Sequence, residues 1–246
     1  MKTPLYFISD IHLKLRTSSE EKSRRESLFR LLDQIRKTGG TCFSVGDLFD
    51  FYFEYPHLIP KAYTDFYQKA AEMKKDGVEL HMLLGNHDYW VQEFLTDELM
   101  DHVYFNDTTF EVNGKKFYIS HGDGLLSWDH GYRLLKKVIR SPLFIWLFRW
   151  IHPTIAYKIA NAISRSGRHD THSENFNEDV RIEIQDVAKK HFDHGFDFMI
   201  CGHYHLGEMF DVNGGKLAIL GDWFNLPSYA VFDGINLKLH FWEHNA

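Results

Sequence analysis

Hydrophobic and polar positions along the chain follow two periods in turn, and the switches between them mark out the elements. Apolar runs of strand length occupy residues 5–9, 41–45 and 78–84. Between them, residues 20–37 place Leu28, Leu31, Leu32 and Ile35 at helical spacing ahead of Gly39-Gly40. Residues 61–75 do the same with Ala62, Phe66, Ala70 and Met73. This strand–helix rhythm predicts parallel strands joined by right-handed crossovers. The pattern then changes: residues 108–120 read as a hairpin around Asn113-Gly114, and 125–177 as a helical, aromatic-rich interruption. A helix with Val180, Ile184 and Val187 inward leads to a strand at 196–201, and further hairpins are predicted at Asn213-Gly214 and Asp233-Gly234. The expectation is an α/β fold over 1–246, one domain with a helical insertion at 125–177.

Composition narrows the class without changing that picture. The 246 residues are 44% hydrophobic and 25% charged, the balance of a globular protein with ample core. Cys42 and Cys201 both lie inside apolar runs, so no disulfide framework is expected and a reducing cytoplasm fits. No secretory leader pattern precedes the first strand, which predicts no export. The longest apolar run, 143–148, ends at Arg149, well short of the roughly 20 residues that span a bilayer.

Chemistry collects where strands stop. The first run ends in Asp10-Ile11-His12, and in extended backbone Asp10 and His12 face the same way. The second ends in Gly46-Asp47 and the third in Gly85-Asn86-His87-Asp88, where Asp88 offers a carboxylate to orient the imidazole of His87. His121-Gly122-Asp123 and Gly202-His203-Tyr204-His205 close two later strands. Asp10, His12, Asp47, Asn86, His121, His203 and His205 together offer oxygen and nitrogen donors and no thiolate, a set suited to Mn²⁺, Fe²⁺ or Zn²⁺. Seven donors are too many for one ion and enough for two if a carboxylate bridges. Two ions about 3.5–4 Å apart can clamp the entering and leaving oxygens of a displacement at phosphorus.

In this order, Asp-x-His, Gly-Asp, Gly-Asn-His-Asp, His-Gly-Asp and Gly-His-x-His resemble the calcineurin-like metallophosphoesterase superfamily. The resemblance implies a β-sandwich of two mixed sheets flanked by helices, with the site at the sheets' C-terminal rims. It implies that Asp10, His12, Asp47 and His205 hold one ion, and that Asp47, Asn86, His121 and His203 hold the other. Asp47 would bridge, and a metal-bridging hydroxide would attack phosphorus. His87, oriented by Asp88, would stabilise or protonate the departing oxygen.

The predicted insertion guides the choice of substrate. From His130 to Arg168 stand eight basic residues and no Asp or Glu, while the whole chain sums to −6, which leaves −14 elsewhere. Such segregation, beside the apolar run Leu143, Phe144, Ile145, Trp146, Leu147 and Phe148, fits an anionic ligand or an anionic membrane face. It equally fits helices packed on the sandwich with their bases in solvent. Within the superfamily the chain is similar to the UDP-2,3-diacylglucosamine pyrophosphohydrolases of lipid A biosynthesis. The residues that carry this are Ser9-Asp10-Ile11-His12-Leu13, Gly46-Asp47-Leu48-Phe49-Asp50, His121-Gly122-Asp123 and Asp129-x-Gly131-Tyr132. The resemblance implies hydrolysis of a lipid-linked nucleotide sugar to UMP and 2,3-diacylglucosamine 1-phosphate. It also implies an acyl-binding lid over 125–177 and a peripheral place on the cytoplasmic face of the inner membrane. Asn86, His87, Asp129, Tyr132, Ser164, Arg165 and His203 would line the substrate cleft, and Mn²⁺ would be the foremost metal. One departure stands out: proteobacterial members carry Arg where this chain has His87. That leaves open a broader phosphodiesterase or phosphatase acting on soluble nucleotides. A non-catalytic scaffold on the same fold is the third reading, against which the intact donor set argues. Nucleic acid is not expected as a partner, since the acidic chain has no basic track outside the insertion.

Overall fold

The computed structural model describes residues 1–167 and 174–243. Its centre is β1 (Leu5–Ile8), β2 (Thr41–Val45) and β3 (Glu79–Leu83), parallel neighbours as the rhythm predicted. A three-residue strand β4 (His102–Tyr104) extends this sheet beyond β3, where the pattern was too short to announce a strand. The second sheet holds β5 (Thr108–Val112), β6 (Lys115–Ser120), β7 (Phe198–Cys201), β8 (Glu208–Val212) and β9 (Gly215–Ile219) in the order β5-β6-β7-β9-β8. The last hairpin, β10 (Ser228–Phe232) and β11 (Leu237–Phe241), returns to the first sheet, where β10 pairs antiparallel with β1. Both sheets are therefore mixed, and they face each other.

Strand alternation builds the layers. Phe7, Phe43, Leu83, Phe117, Ile119, Phe198, Ile200 and Phe232 fill the space between the sheets. The opposite face of the first sheet is covered by α1 (Ser19–Thr38) and α2 (Thr64–Lys75), whose Leu28, Leu31, Leu32, Ile35, Phe66 and Ala70 bury Ile8, Cys42, Leu80 and Met82. All of β2 is consequently buried, which is why it reads as a continuous apolar run. Ser18 starts α1 by accepting the Glu21 N–H (3.2 Å). The final helix of the chain packs Val180, Ile184, Ala188 and Phe192 on Met199, Cys201, Leu217 and Ile219. The buried stripe advances by four residues, so Ala188 takes the core position and Val187 is only partly covered.

The helical interruption resolves into α3 (His130–Ile139), α4 (Pro142–Arg149) and α5 (Pro153–Gly167), followed by the helix just described, α6 (Glu174–Asp193). Ser141 and Pro142 open α4, the serine accepting the Phe144 N–H (3.3 Å). Three hydrogen bonds bolt this segment down: Trp90 Nε1 donates to the Ile139 carbonyl (2.9 Å), Tyr55 Oη to Ile151 (3.0 Å), and Tyr157 Oη on α5 reaches back to Phe53 (3.1 Å). Phe148 packs on Phe53 with ring centroids 4.7 Å apart. Leu134, Leu135, Val138, Leu143, Trp146, Leu147 and Trp150 point the other way and are exposed.

One core histidine makes the fold sensitive to acid. His81, 3% exposed, lies against Phe43 with its Nδ1 3.0 Å from Tyr104 Oη, and burial pushes its imidazole down to about 4. The folded protein thus resists a proton that the unfolded chain accepts near pH 6.5, so this contribution is whole above 6.5 and disappears as pH falls to about 4. The difference corresponds to about 3 kcal/mol. His81→Gln should lose less stability than the native chain between pH 6.5 and 4, read as the difference between their melting curves.

Candidate metal centre

The predicted donors come together on one rim. β1, β2 and β3 of the first sheet lead to Asp10 and His12, Asp47, and Asn86 with His87; β6 and β7 of the second lead to His121 and to His203 with His205. Alternation along an extended strand is not what aims Asp10 and His12. Both have left already into left-handed backbone, at φ 52° and 47°, as have Asp47 (52°), His203 (67°) and His205 (58°). Among the described residues only two other non-glycine positions do so, Asn113 and Asn213, both in hairpin turns. Such conformations cost on the order of 1–3 kcal/mol each and persist only where the surroundings enforce them. Here the Asp10 N–H donates to the Gly46 carbonyl (3.1 Å) and the His12 N–H to the Asp47 carbonyl (2.9 Å). The glycines of the motifs serve close approach: a Cβ on Gly85 would overlap Asp47 Oδ1, and one on Gly202 would overlap Ser9 and Asp10 Oδ2.

The expected donors form two groups that meet at Asp47, and a third group, His12, Asp47 and His87, lies between them. In the first, Asp10 Oδ1 lies 3.1 Å from His205 Nε2 and 3.8 Å from His12 Nε2, and the same His12 nitrogen is 3.8 Å from Asp47 Oδ2. In the second, Asp47 Oδ2 lies 3.3 Å from His121 Nε2, with His203 within reach of both. Asn86 joins this group through Oδ1, 3.1 Å from His121 Nε2.

The donor set fits divalent ions. His121 Nδ1 donates to the Val45 carbonyl (2.9 Å), which turns Nε2, the nitrogen without a proton in that tautomer, toward the oxygens of Asn86 and Asp47. Three electron-rich atoms then converge on one point, where a metal ion would satisfy them together. Burial disfavours the proton, yet the Asp47 carboxylate outweighs it and raises the His121 imidazole to about 10. Burial instead pushes His12 down to about 3 and His203 to about 4, keeping both neutral and ready to ligate. Burial also opposes charge on Asp10, but His205 beside it holds the carboxyl at about 2.

The partner of His87 differs from the expected one. Its Nδ1 donates to the Asp50 carbonyl (2.7 Å), not to Asp88, and this aims Nε2 toward Asp47 Oδ2, 4.0 Å away. Asp88 faces backbone instead: it accepts the N–H groups of Leu48 (2.8 Å), Phe49 (3.4 Å) and Gly85 (2.8 Å), tying two donor-bearing loops together. Burial, with the neighbouring Asp47 carboxylate, pushes Asp88 up to about 7. Its position is therefore that of a brace, and it does not orient the imidazole.

Tyr132 on α3 enters the centre, its ring 6.0 Å from that of His203 and its hydroxyl donating to Asp123 (3.1 Å). Asp129 stands at the start of α3, half-buried. Ser164 and Arg165 lie along α5, and their side chains fall outside the described residues. Two carboxylates outside the seven expected donors also belong here. Asp222 Oδ2 is 3.9 Å from His205 Nδ1, and its only sequence signal is a Gly-Asp step after β9. Asp123 receives Tyr132, Lys136 and Arg140; burial opposes its charge, but His121, Arg140 and Lys136 hold the carboxyl below its usual range.

The UDP-2,3-diacylglucosamine hydrolase of Porphyromonas gingivalis is 34% identical over 259 aligned positions, covering 99% of each chain. The hydrolase of the same name from Vibrio atlanticus is 25% identical, over 97% of this chain and 96% of its own. Among solved structures, an archaeal phosphodiesterase overlaps with a TM-score of 0.47 at 12% identity, covering 97% of this chain and 99% of that one. A family model, calcineurin-like phosphoesterase, matches residues 3–207 and so takes in every strand end that carries a donor. With its motifs on the rim of two mixed sheets and that match along most of its length, the chain belongs to the calcineurin-like phosphoesterase family.

Proposed function

We propose that the chain hydrolyses the pyrophosphate of UDP-2,3-diacylglucosamine, with water, to UMP and 2,3-diacylglucosamine 1-phosphate. The observation that carries this reading is a donor set for two ions beside a helical segment whose outer face is apolar. Relatives bearing that activity in their names match nearly the whole chain. Two divalent ions, Mn²⁺ foremost and Fe²⁺ or Zn²⁺ with the same donors, supply a water acidified near neutral pH and polarise the phosphoryl oxygens. Asp10, His12 and His205 would hold one, Asn86, His121 and His203 the other, with Asp47 shared. Asn86, His87 and His203 face the phosphate, and Asp129 and Tyr132 bound the cleft from α3. Ser164 and Arg165 on α5 belong to the same reading.

In this reading, residues 125–177, of which 168–173 lie outside the described residues, form an acyl-binding lid on a single domain. The outer side chains of α3 and α4, with Lys137, rest on the anionic cytoplasmic face of the inner membrane, where the enzyme is peripheral. No helix of the described residues is long and apolar enough to cross a bilayer. Incubation with UDP-2,3-diacylglucosamine and Mn²⁺, beside bis(p-nitrophenyl) phosphate, tests the substrate directly. UMP release at the faster rate supports the reading. Chromogenic turnover without UMP would favour the second one, a broader phosphodiesterase, for which His87 in place of Arg is the specific support.

His87→Ala should keep near-native metal content, since its ring is held by the Asp50 carbonyl at the edge of the donor groups. The chemical step should slow by about 10²–10⁴-fold, toward the low end because a sugar 1-phosphate leaves readily. His87→Arg should restore part of the rate on the pyrophosphate and little on an alkyl phosphodiester. Equal behaviour of both variants on both substrates would remove His87 from the leaving-group side.

A further inference from the structure

Helix α3 turns one face to the metal centre, and that face converges on a single carboxylate. Tyr132, Lys136 and Arg140 recur every four residues and so stack along one side. Tyr132 Oη donates to Asp123 Oδ2 (3.1 Å), and the Lys136 and Arg140 cations each lie 2.9 Å from the same oxygen. Lys136 Nζ also donates to the Asp123 carbonyl (2.8 Å). Asp123 is buried, 7% exposed, two residues beyond His121.

Arg140 does one thing more: its Nη2 donates to the carbonyl of Gly85 (3.0 Å), the residue before Asn86, while its guanidinium lies 4.1 Å over the Tyr89 ring. One planar cation thus joins the loop of Asn86 to the loop of His121, and these two side chains are themselves 3.1 Å apart. Asp10, His12 and His205 are held from elsewhere, by Gly46, Asp47 and Asp222.

We infer that Asp123 is a positioning residue: with Arg140 it holds the Asn86 and His121 loops at one separation, and so couples the second ion to the docking of α3. The inference rests on the two-ion reading of the site. Coupling of this kind is reciprocal, so an ion at the second position makes α3 harder to detach, and loosening α3 weakens that ion alone. Loss of a hydrogen-bonding partner behind metal ligands typically costs about 10–100-fold in affinity.

The test uses the full chain as the native protein, Asp123→Asn, Arg140→Gln and Arg140→Lys. Mn²⁺ is titrated by calorimetry, trypsin cleavage after Lys137 is timed with and without Mn²⁺, and each melting temperature is recorded. The native protein should bind two ions, and Mn²⁺ should slow cleavage. Asp123→Asn and Arg140→Gln should keep one ion at native affinity, bind the other about 10–100-fold more weakly, and lose most of the protection. Arg140→Lys keeps the charge beside Asp123 but not the planar fork that reaches both loops, so it should fall between. Native affinity for both ions in Asp123→Asn and Arg140→Gln overturns the inference. So does an equal loss at both ions together with a lowered melting temperature, the mark of a general structural role. A native protein that binds fewer than two ions overturns the two-ion reading itself.

Discussion

Asp47→Ala should hold neither divalent ion tightly, and its turnover should fall by more than about 10⁴-fold. Asp47 is the side chain on which both donor groups meet: Oδ2 faces His121 at 3.3 Å and His12 at 3.8 Å. Oδ1 accepts the His87 N–H (2.9 Å), so the carboxylate also sets the loop that carries Asn86 and His87. Alanine would remove the charge and also place a β-carbon without a polar tip at φ 52°, mixing two effects. Asp47→Asn separates them. Asparagine tolerates left-handed backbone and can still accept the His87 N–H, but it brings no charge to the ions. Elemental analysis of both purified variants should find the two sites depleted, with the asparagine variant melting close to the native protein. Two ions retained at native affinity, with normal activity, would show that Asp47 does not bridge.

Replacing Trp146 and Trp150 together with serine should cut binding to vesicles containing anionic lipid by at least about a hundredfold. The two indoles are 54% and 76% exposed on one side of α4, 5.9 Å apart, and so are free to bury area in a lipid surface. At about 25 cal/mol per Å² of apolar surface, each is worth about 2 kcal/mol in that setting. Turnover of bis(p-nitrophenyl) phosphate should hardly change, because the donors stand on strand ends of the sandwich. The inner side of the same helix gives the opposite forecast. Phe148 packs between Phe53 and Phe144, so Phe148→Ser should cost about 3 kcal/mol of stability and depress activity on every substrate alike. Vesicle flotation, parallel kinetics and melting curves distinguish the two faces. Unchanged flotation of the tryptophan variant would leave the membrane reading of that face without support.

Much of the centre was legible before any coordinates, because its signals are local. An apolar run that stops at Gly46-Asp47 or Gly85-Asn86 reports a buried strand and a polar exit within a few residues, and of the seven residues read at five such exits six lie together in candidate metal groups, with Asn86 beside His121. Hairpins at Asn113-Gly114 and Asn213-Gly214 are equally local, since the turn itself selects those residues. Short elements were harder: β4 has three residues and no period to read.

What only the tertiary structure decided depends on groups far apart in sequence. Asp88 stands next to His87 in the chain, which makes an orienting role natural, yet its oxygens are claimed by the N–H groups of Leu48 and Phe49 on another loop. The left-handed backbone at Asp10, His12 and Asp47 is imposed by hydrogen bonds between neighbouring strand exits, and extended alternation could not foresee it. The proton-bearing nitrogen of His121 is chosen by the Val45 carbonyl. Along α4 the apolar residues form nearly an unbroken run, so the sequence specifies that the helix is hydrophobic but not which side packs. The rings of Phe51 and Phe53 choose Phe148 for the inner face, and Trp146 and Trp150 are left outside. Sequence determines which residues can bind a metal or bury a ring; which atom each one faces is set by packing, because hydrogen bonds and van der Waals contacts act over a few ångströms of space, whatever the distance along the chain.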